Sequence, residues 1–194
     1  MRFTDDYEKR EWLGREALKE LQEIYPEYFK YDLRFTTEKY ADYDAFYFII
    51  DEDTQKLRKR VWIEIKIRDT NYDEYVLEYK KLNQLIKKRD ELFLTEDDVI
   101  FLYLNYTPNE TIIWNISKIK EEGEVKSKVM NKATSTSRKD KMNKKIYYLK
   151  PSDGKRLDYV LNEKHLLRKY DNYLLDKVKE QIKKKPGLED ILFG

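Results

Sequence analysis

Arg60-Val61-Trp62-Ile63-Glu64-Ile65-Lys66-Ile67-Arg68 is an apolar run that carries one acid and one base two residues apart. In an extended strand successive side chains point to opposite faces. Val61, Ile63, Ile65 and Ile67 then share one face, and Trp62, Glu64, Lys66 and Arg68 share the other. Upstream, Asp44-Ala45-Phe46-Tyr47-Phe48-Ile49-Ile50 opens on an acid and is then apolar on both faces, the pattern of a central buried strand. Pairing of the two strands through the polar connection at 51–59 brings Asp44 to the same end of the sheet as Glu64, so that Asp, Glu and Lys meet at one point. Two converging carboxylates supply the hard oxygen ligands that Mg²⁺ prefers, with positions left for water and a substrate phosphate. A lysine beside them can orient an attacking water or neutralise charge growing on the phosphate. Asp42 is the rival to Asp44, but the apolar run begins directly after Asp44.

Asp44, an intervening hairpin and then Glu64-Ile65-Lys66 resemble the active-site pattern of the PD-(D/E)XK nuclease superfamily, which includes restriction endonucleases, Holliday-junction resolvases and many phage recombination nucleases. The motif lies in an apolar strand, follows an Asp-led strand and falls between two candidate helices, as the α-β-β-β-α-β core of that superfamily implies. Tyr43 stands where the proline of the family name would be. The resemblance implies a restriction-endonuclease-like α/β (α+β) fold with a central mixed sheet flanked by helices. It implies a Mg²⁺-dependent DNA endonuclease, with Mn²⁺ as the substitute ion. Asp44 and Glu64 would bind the metal, the backbone carbonyl of Ile65 would complete its shell, and Lys66 would position water for in-line attack on a phosphodiester.

Two further stretches extend the likeness. Gly14-Arg15-Glu16 resembles the first helix of many superfamily members, where an acid faces the metal site, which makes Glu16, and after it Glu20, candidates to hold a second ion or a water. A solvated helix face is the other reading of these acids. Glu78-Tyr79-Lys80-Lys81 resembles a helical stretch of phage-type members from which a polar or basic residue reaches the active site, and Lys81 is the choice. Arg68 and Lys80 are candidate nucleic-acid contacts. The small chain, rich in tyrosine and lysine with a polar loop before a late strand, is similar to phage-encoded members, which implies DNA processing or recombination in a host cytoplasm.

At 194 residues the chain is long enough to bury a core in one domain with an appendage. The expected division is a nuclease-like domain at 1–150 and a helical C-terminal extension at 151–194, packing on or beside it. Lys and Arg total 40 against 38 Asp and Glu, so bulk charge announces no nucleic-acid partner and any basic surface must come from local segregation. The absence of cysteine excludes disulfides and thiolate metal sites, and one histidine argues against zinc. No run has the length of a membrane span and the N-terminus lacks the apolar core of a signal peptide, which points to the cytoplasm.

Taken in order, Asp5 and Glu8 form a variant capping box before a helix to about residue 28, with Leu13, Ala17, Leu21 and Ile24 at helical spacing and Pro26 at its last turn or break. A first strand is expected at 31–37. Asn71 with Glu74 predicts the start of a second helix running to about residue 92. Residues 99–106 and 111–116 predict a hairpin turning at Thr107-Pro108-Asn109-Glu110, and Trp62 and Trp114 are read as packed rather than as stacking platforms for bases.

From 118 to 145 there are ten basic residues and four acids, the largest local imbalance in the chain. This is read as a mobile basic loop, in which Arg138 and Lys139 either contact a DNA backbone or belong to a solvated connection. A short strand at 145–149, a turn at Pro151-Ser152-Asp153-Gly154 and two helical segments at 156–167 and 170–185 complete the reading, with Pro186-Gly187 as the stop and an apolar tail at 188–194. His165, alone among leucines, is a packed or partly exposed residue rather than a ligand.

Two rivals share the fold but not the chemistry. One is a structure-specific nucleic-acid-binding protein using the basic loop; the other is a protein-interaction module in which Glu64 and Lys66 form an ordinary ion pair. Sequence does not separate DNA from RNA as the partner, and it gives no oligomeric state.

Overall fold

The structure, a computed structural model, describes residues 6–29, 32–37, 41–117, 119, 125–131 and 141–184. Asp5, Tyr31, Arg138, Lys139, Pro186-Gly187 and the tail at 188–194 lie outside the described residues.

Helix α1 (Asp6–Ile24) forms as its spacing predicts, with Leu13, Gly14, Ala17, Leu18 and Leu21 buried on one face, and it ends two residues before Pro26. Strands β1 (Arg34–Phe35), β2 (Ala45–Ile50) and β3 (Leu57–Ile67) follow. The first is shorter than expected, while β3 starts earlier than its apolar run, because Ile49 and Ile50 pair with Lys59 and Leu57.

The expected helix at 71–92 is corrected at its start. Residues Tyr75–Glu78 form strand β4, and only Tyr79–Glu91 form the helix, α2. Tyr75 and Leu77 are buried while Val76 and Glu78 are partly exposed, a period-two pattern that pairs with a strand some seventy residues on. That long-range pairing overrides the local helix-start signal.

The hairpin is present as β5 (Val99–Tyr106) and β6 (Thr111–Asn115). The basic stretch read as a loop contains two strands, β7 (Lys126–Asn131) and β8 (Lys141–Leu149), which pair with each other. Their exposed ends lack apolar alternation, so nothing local marked them as strands. Residues 156–167 are not one helix either: Lys155–Leu157 form β9, with Leu157 buried, and the two expected helices are one, α3 (Glu163–Lys184). Asn162 opens α3 by accepting the amide of His165 on its side chain at 3.0 Å.

Six strands make the main sheet in the order β1-β2-β3-β5-β6-β9, antiparallel except for the central β3–β5 pair, and β4-β8-β7 make a second, antiparallel sheet. The class is therefore mixed α/β, with the expected order α-β-β-β-α-β carried by α1, β1, β2, β3, α2 and β5 and the short β4 inserted. One face of the main sheet packs on α1 through Val61, Ile63, Leu104 and Tyr106. There the missing side chain of Gly14 matters, since a Cβ would lie 2.9 Å from Ile65 Cγ2. The other face packs on α2 and the second sheet through Trp62, Phe101, Tyr103 and Trp114, with both tryptophans buried. Helix α3 lies on α1, held by Trp12 against Tyr170 at 4.8 Å and by Lys169 on Glu20 at 2.5 Å.

Candidate active site

The β2–β3 register pairs Ala45 with Ile63, and one step further along it Asp44 stands opposite Glu64. The chain bends at Asp44, whose amide still reaches Ile63 O at 2.8 Å. Its side chain finishes the pairing: Asp44 Oδ2 accepts the Ile65 amide at 2.6 Å. A carboxylate thus takes the place of a backbone acceptor at the open end of the strand, which fixes it beside Glu64.

Glu64 is buried, 3% exposed, in the face that also carries Trp62 and Lys66. Lys66 Nζ donates to its Oε1 at 2.5 Å, and Lys81 Nζ, reaching over from the first turn of α2, lies 2.7 Å from Oε2. Among the described residues Lys81 is the one partner of Oε2, and a carboxylate oxygen with a single partner keeps acceptor capacity. Burial raises the proton affinity of Glu64, but the ammonium groups of Lys66 and Lys81 outweigh it and hold the carboxyl below its usual value. For Asp44 the balance reverses. Burial, and then the negative charge of Glu64, push it up to about 6 despite Lys66 and the Ile65 amide. Burial alone would lower Lys66, yet Glu64 and Asp44 keep it firmly protonated.

The next shell comes from β5, which lies parallel to β3 with Tyr103 beside Glu64 and Asn105 beside Lys66. Arg68 donates to Asn105 Oδ1 at 3.0 Å and to the Tyr103 hydroxyl at 2.9 Å, and that hydroxyl donates to Val76 O at 3.0 Å. The structure therefore places Arg68 as a brace between β3, β5 and β4, close to the acid pair. Lys80 is exposed on α2, next to Lys81.

Not every expected residue arrives. Glu16 pairs with Lys19 and lines a groove with Phe35, Lys169 and Tyr173, while Glu20 accepts Lys169 and the Tyr159 hydroxyl, so both acids tie α1 to its own neighbours. His165 is half exposed and 3.3 Å from Glu20. The α1 side chain that feels the acid pair is instead Tyr7: burial, then Glu11 and Asp44, raise its pKa, with Lys66 opposing. Two turns before Gly14 on the same helix face, Tyr7 follows from heptad spacing once Gly14 is known to sit on Ile65; no motif marks it.

The donor set suits one hard divalent cation. Two carboxylates oppose one another, one is raised in part by the other's charge, and a buried oxygen of Glu64 has capacity to spare. Among the described residues no cluster of three or more Asp, Glu or His side chains is set to hold a metal ion. A cation here would rest on Asp44, Glu64 and backbone oxygen, with water filling the remaining positions.

No protein-family model matches the chain, and no curated protein matches it. Among solved structures the fold is similar to that of Hjc, a Holliday junction resolvase from the archaeal hyperthermophile Archaeoglobus fulgidus, at 11% identity and a TM-score of 0.41, over 74% of this chain and 91% of that one. At that level the likeness is one of outline, and a functional reading has to come from the geometry of the site. Among the described residues no helix is long and apolar enough to cross a membrane.

Proposed function

We propose that this chain is a divalent-metal-dependent nuclease that hydrolyses DNA phosphodiesters, using Mg²⁺ or Mn²⁺ held by Asp44, Glu64 and the Ile65 carbonyl. The observation that carries this is the opposed pair of a partly exposed Asp44 and a buried Glu64, with two lysines converging on Glu64. Such a pair costs stability and has no structural need. When bound, the cation supplies charge neutralisation at the phosphate and lowers the pKa of water, several kcal/mol of the barrier by general experience.

The protein's own groups do the rest. Lys66, kept protonated, holds the attacking water in line and offers a positive charge to the developing phosphorane. Lys81 reaches Glu64 from α2, and in this reading it takes a non-bridging oxygen of the phosphate. Arg68, braced by Tyr103 and Asn105, fixes the strand that presents both. Positioning and charge, rather than covalent chemistry, supply the acceleration. The role that goes with this reading is DNA processing or recombination, in keeping with the resemblance to phage-type members.

One observation favours a second reading. Glu64 is already neutralised by two lysines, as in a non-cleaving nucleic-acid-binding protein built on the same fold. Cleavage of supercoiled, linear, branched and single-stranded DNA with Mg²⁺, Mn²⁺ or EDTA decides between them, run on wild type, Glu64→Ala and Lys66→Ala. Metal-dependent cutting lost in both variants is the expected result. Absence of cutting on every substrate, with no heat of Mn²⁺ binding by calorimetry, overturns the catalytic reading.

A further inference from the structure

The β7–β8 hairpin stands out from the rest of the fold. Along β7 Lys126, Ser127, Lys128 and Val129 are all exposed, and along β8 so are Lys141, Met142, Asn143 and Lys145, with Val129 opposite Asn143 and Ser127 opposite Lys145. Both faces of this ribbon are therefore in solvent, including Val129 at 60% and Met142 at 44% exposure. A two-stranded ribbon exposed on both sides is marginal in isolation, and its free edge invites pairing with other chains. Its described residues contain five lysines and no acid.

Those lysines are held rather than loose. Lys126 and Lys128 each sit 5.6 Å from the centre of the Tyr148 ring on one face of the ribbon, and Lys145 sits 5.8 Å from the Tyr79 ring on the other. Lys144 is engaged at the base, 2.8 Å from Glu78. Glu78 and Tyr79 lead directly into Lys81, which pairs with Glu64. The ribbon thus springs from the segment that serves the acid pair, and between Lys141 and Ile146 it spans about 17 Å at the usual rise of a strand.

We propose that the β7–β8 ribbon is a duplex-DNA-binding arm that lies in the major groove and sets its lysines against the phosphates of both walls. The proposal rests on the nuclease reading only for its purpose, since the arm would deliver the duplex to the acid pair. Charge complementarity names the occupant: lysines on both faces match the two phosphate walls of one groove, whereas lysines that merely guard an edge have no need of both. Shape narrows it further. The major groove of B-form DNA admits a two-stranded ribbon, and the deep, narrow groove of A-form RNA does not.

The test is equilibrium binding of a fluorescein-labelled DNA duplex in EDTA, followed by anisotropy as a function of salt. The proteins compared are wild type, the fourfold variant Lys126→Gln, Lys128→Gln, Lys141→Gln, Lys145→Gln, and the same four positions changed to Arg. All four lysines are exposed, so the melting temperature should hold, and the arginine variant controls for it. Neutralising the arm should weaken binding at least tenfold at moderate salt and reduce the slope of log K against log salt by about three to four. Arginine should restore both, and a duplex RNA of the same sequence should bind at least tenfold more weakly. Unchanged affinity and slope in the glutamine variant, or no binding of DNA by wild type, overturns the arm. Arm-dependent binding without metal-dependent cutting by wild type upholds the arm and removes the nuclease reading, so the two fail separately.

Discussion

The two faces of β3 belong to one strand and obey opposite rules. On the α1 side Val61 and Ile63 are almost completely buried, Ile65 and Ile67 pack beside them, and Gly14 comes so close to Ile65 that no side chain fits between. On the α2 side the same strand presents Trp62, then Glu64, Lys66 and Arg68, and the apolar packing of Trp62 on Phe101 gives way to charge. The first face is what the fold gains from burial. The second, at the end where Asp44 enters, holds an arrangement whose electrostatic cost only a function explains. Changes on one face should therefore damage folding and spare chemistry, and changes on the other should do the reverse.

The largest expected effect is on the charged face. Glu64→Gln keeps the shape of the side chain and removes its charge, and it should lower metal-dependent cleavage by about a thousandfold, a loss on the scale of removing one preorganised charge partner. Thermal unfolding should meanwhile show a folded protein. A variant that unfolds, or one that still cuts, would mean the two faces are not divided as described.

On the apolar face, Ile63→Ala empties a site with no solvent exposure and should cost about 2–5 kcal/mol of stability by denaturant titration. Cleavage per folded molecule should be close to wild type. A rate that falls while the folded fraction holds would show that the apolar face also sets the geometry of the acids.

This division was largely legible in the sequence because it rests on period-two alternation within nine residues, and alternation needs no knowledge of the rest of the chain. Asp44 was readable for a related reason: the apolar run starts directly after it. What the sequence hid depended on partners far away. Tyr75 and Leu77 follow a plausible helix start and become a strand only because Leu149 and Tyr147 lie opposite. Likewise β7 and β8 are lysine-rich, with no buried face to betray them until Ile146. Glu16 follows Gly14 in the sequence, but it pairs with Lys19, and the α1 side chain whose pKa responds to the acids is Tyr7.

Asp44 sharpens the contrast through pH. Its carboxyl has a folded-state pKa near 6 against 3.8 in an unfolded chain. Between those values the folded protein binds a proton that the unfolded chain releases, so stability should fall as pH rises from about 4 to 6 and level off above. An asparagine side chain at this position keeps an acceptor for the Ile65 amide and carries no charge. Asp44→Asn should therefore match wild type near pH 4, exceed it at pH 7.5 by about 3 kcal/mol in EDTA, and lack that part of the pH dependence. Greater stability of wild type at pH 7.5 in EDTA would remove the claim that the acid pair is a cost.

The smallest effect concerns Lys81, and it distinguishes an ion pair kept for structure from one held in waiting. Its ammonium lies 2.7 Å from Glu64 Oε2, the buried oxygen with acceptor capacity left over, so Lys81 stands where a bound cation would also draw on that oxygen. Like charges this close oppose each other, and the opposition counts against metal affinity until the lysine swings to a phosphate. Lys81→Met keeps the length of the side chain and removes the charge. Mn²⁺ titrated calorimetrically without DNA should bind about three- to tenfold more tightly to this variant, about 0.7–1.4 kcal/mol, while the cleavage rate falls. Tighter metal with slower cutting would separate the two duties of one lysine, because a purely structural ion pair has no reason to move them in opposite directions. Unchanged or weaker Mn²⁺ binding would place the cation away from Glu64 Oε2, and would return Lys81 to the ordinary task of keeping a buried carboxylate company.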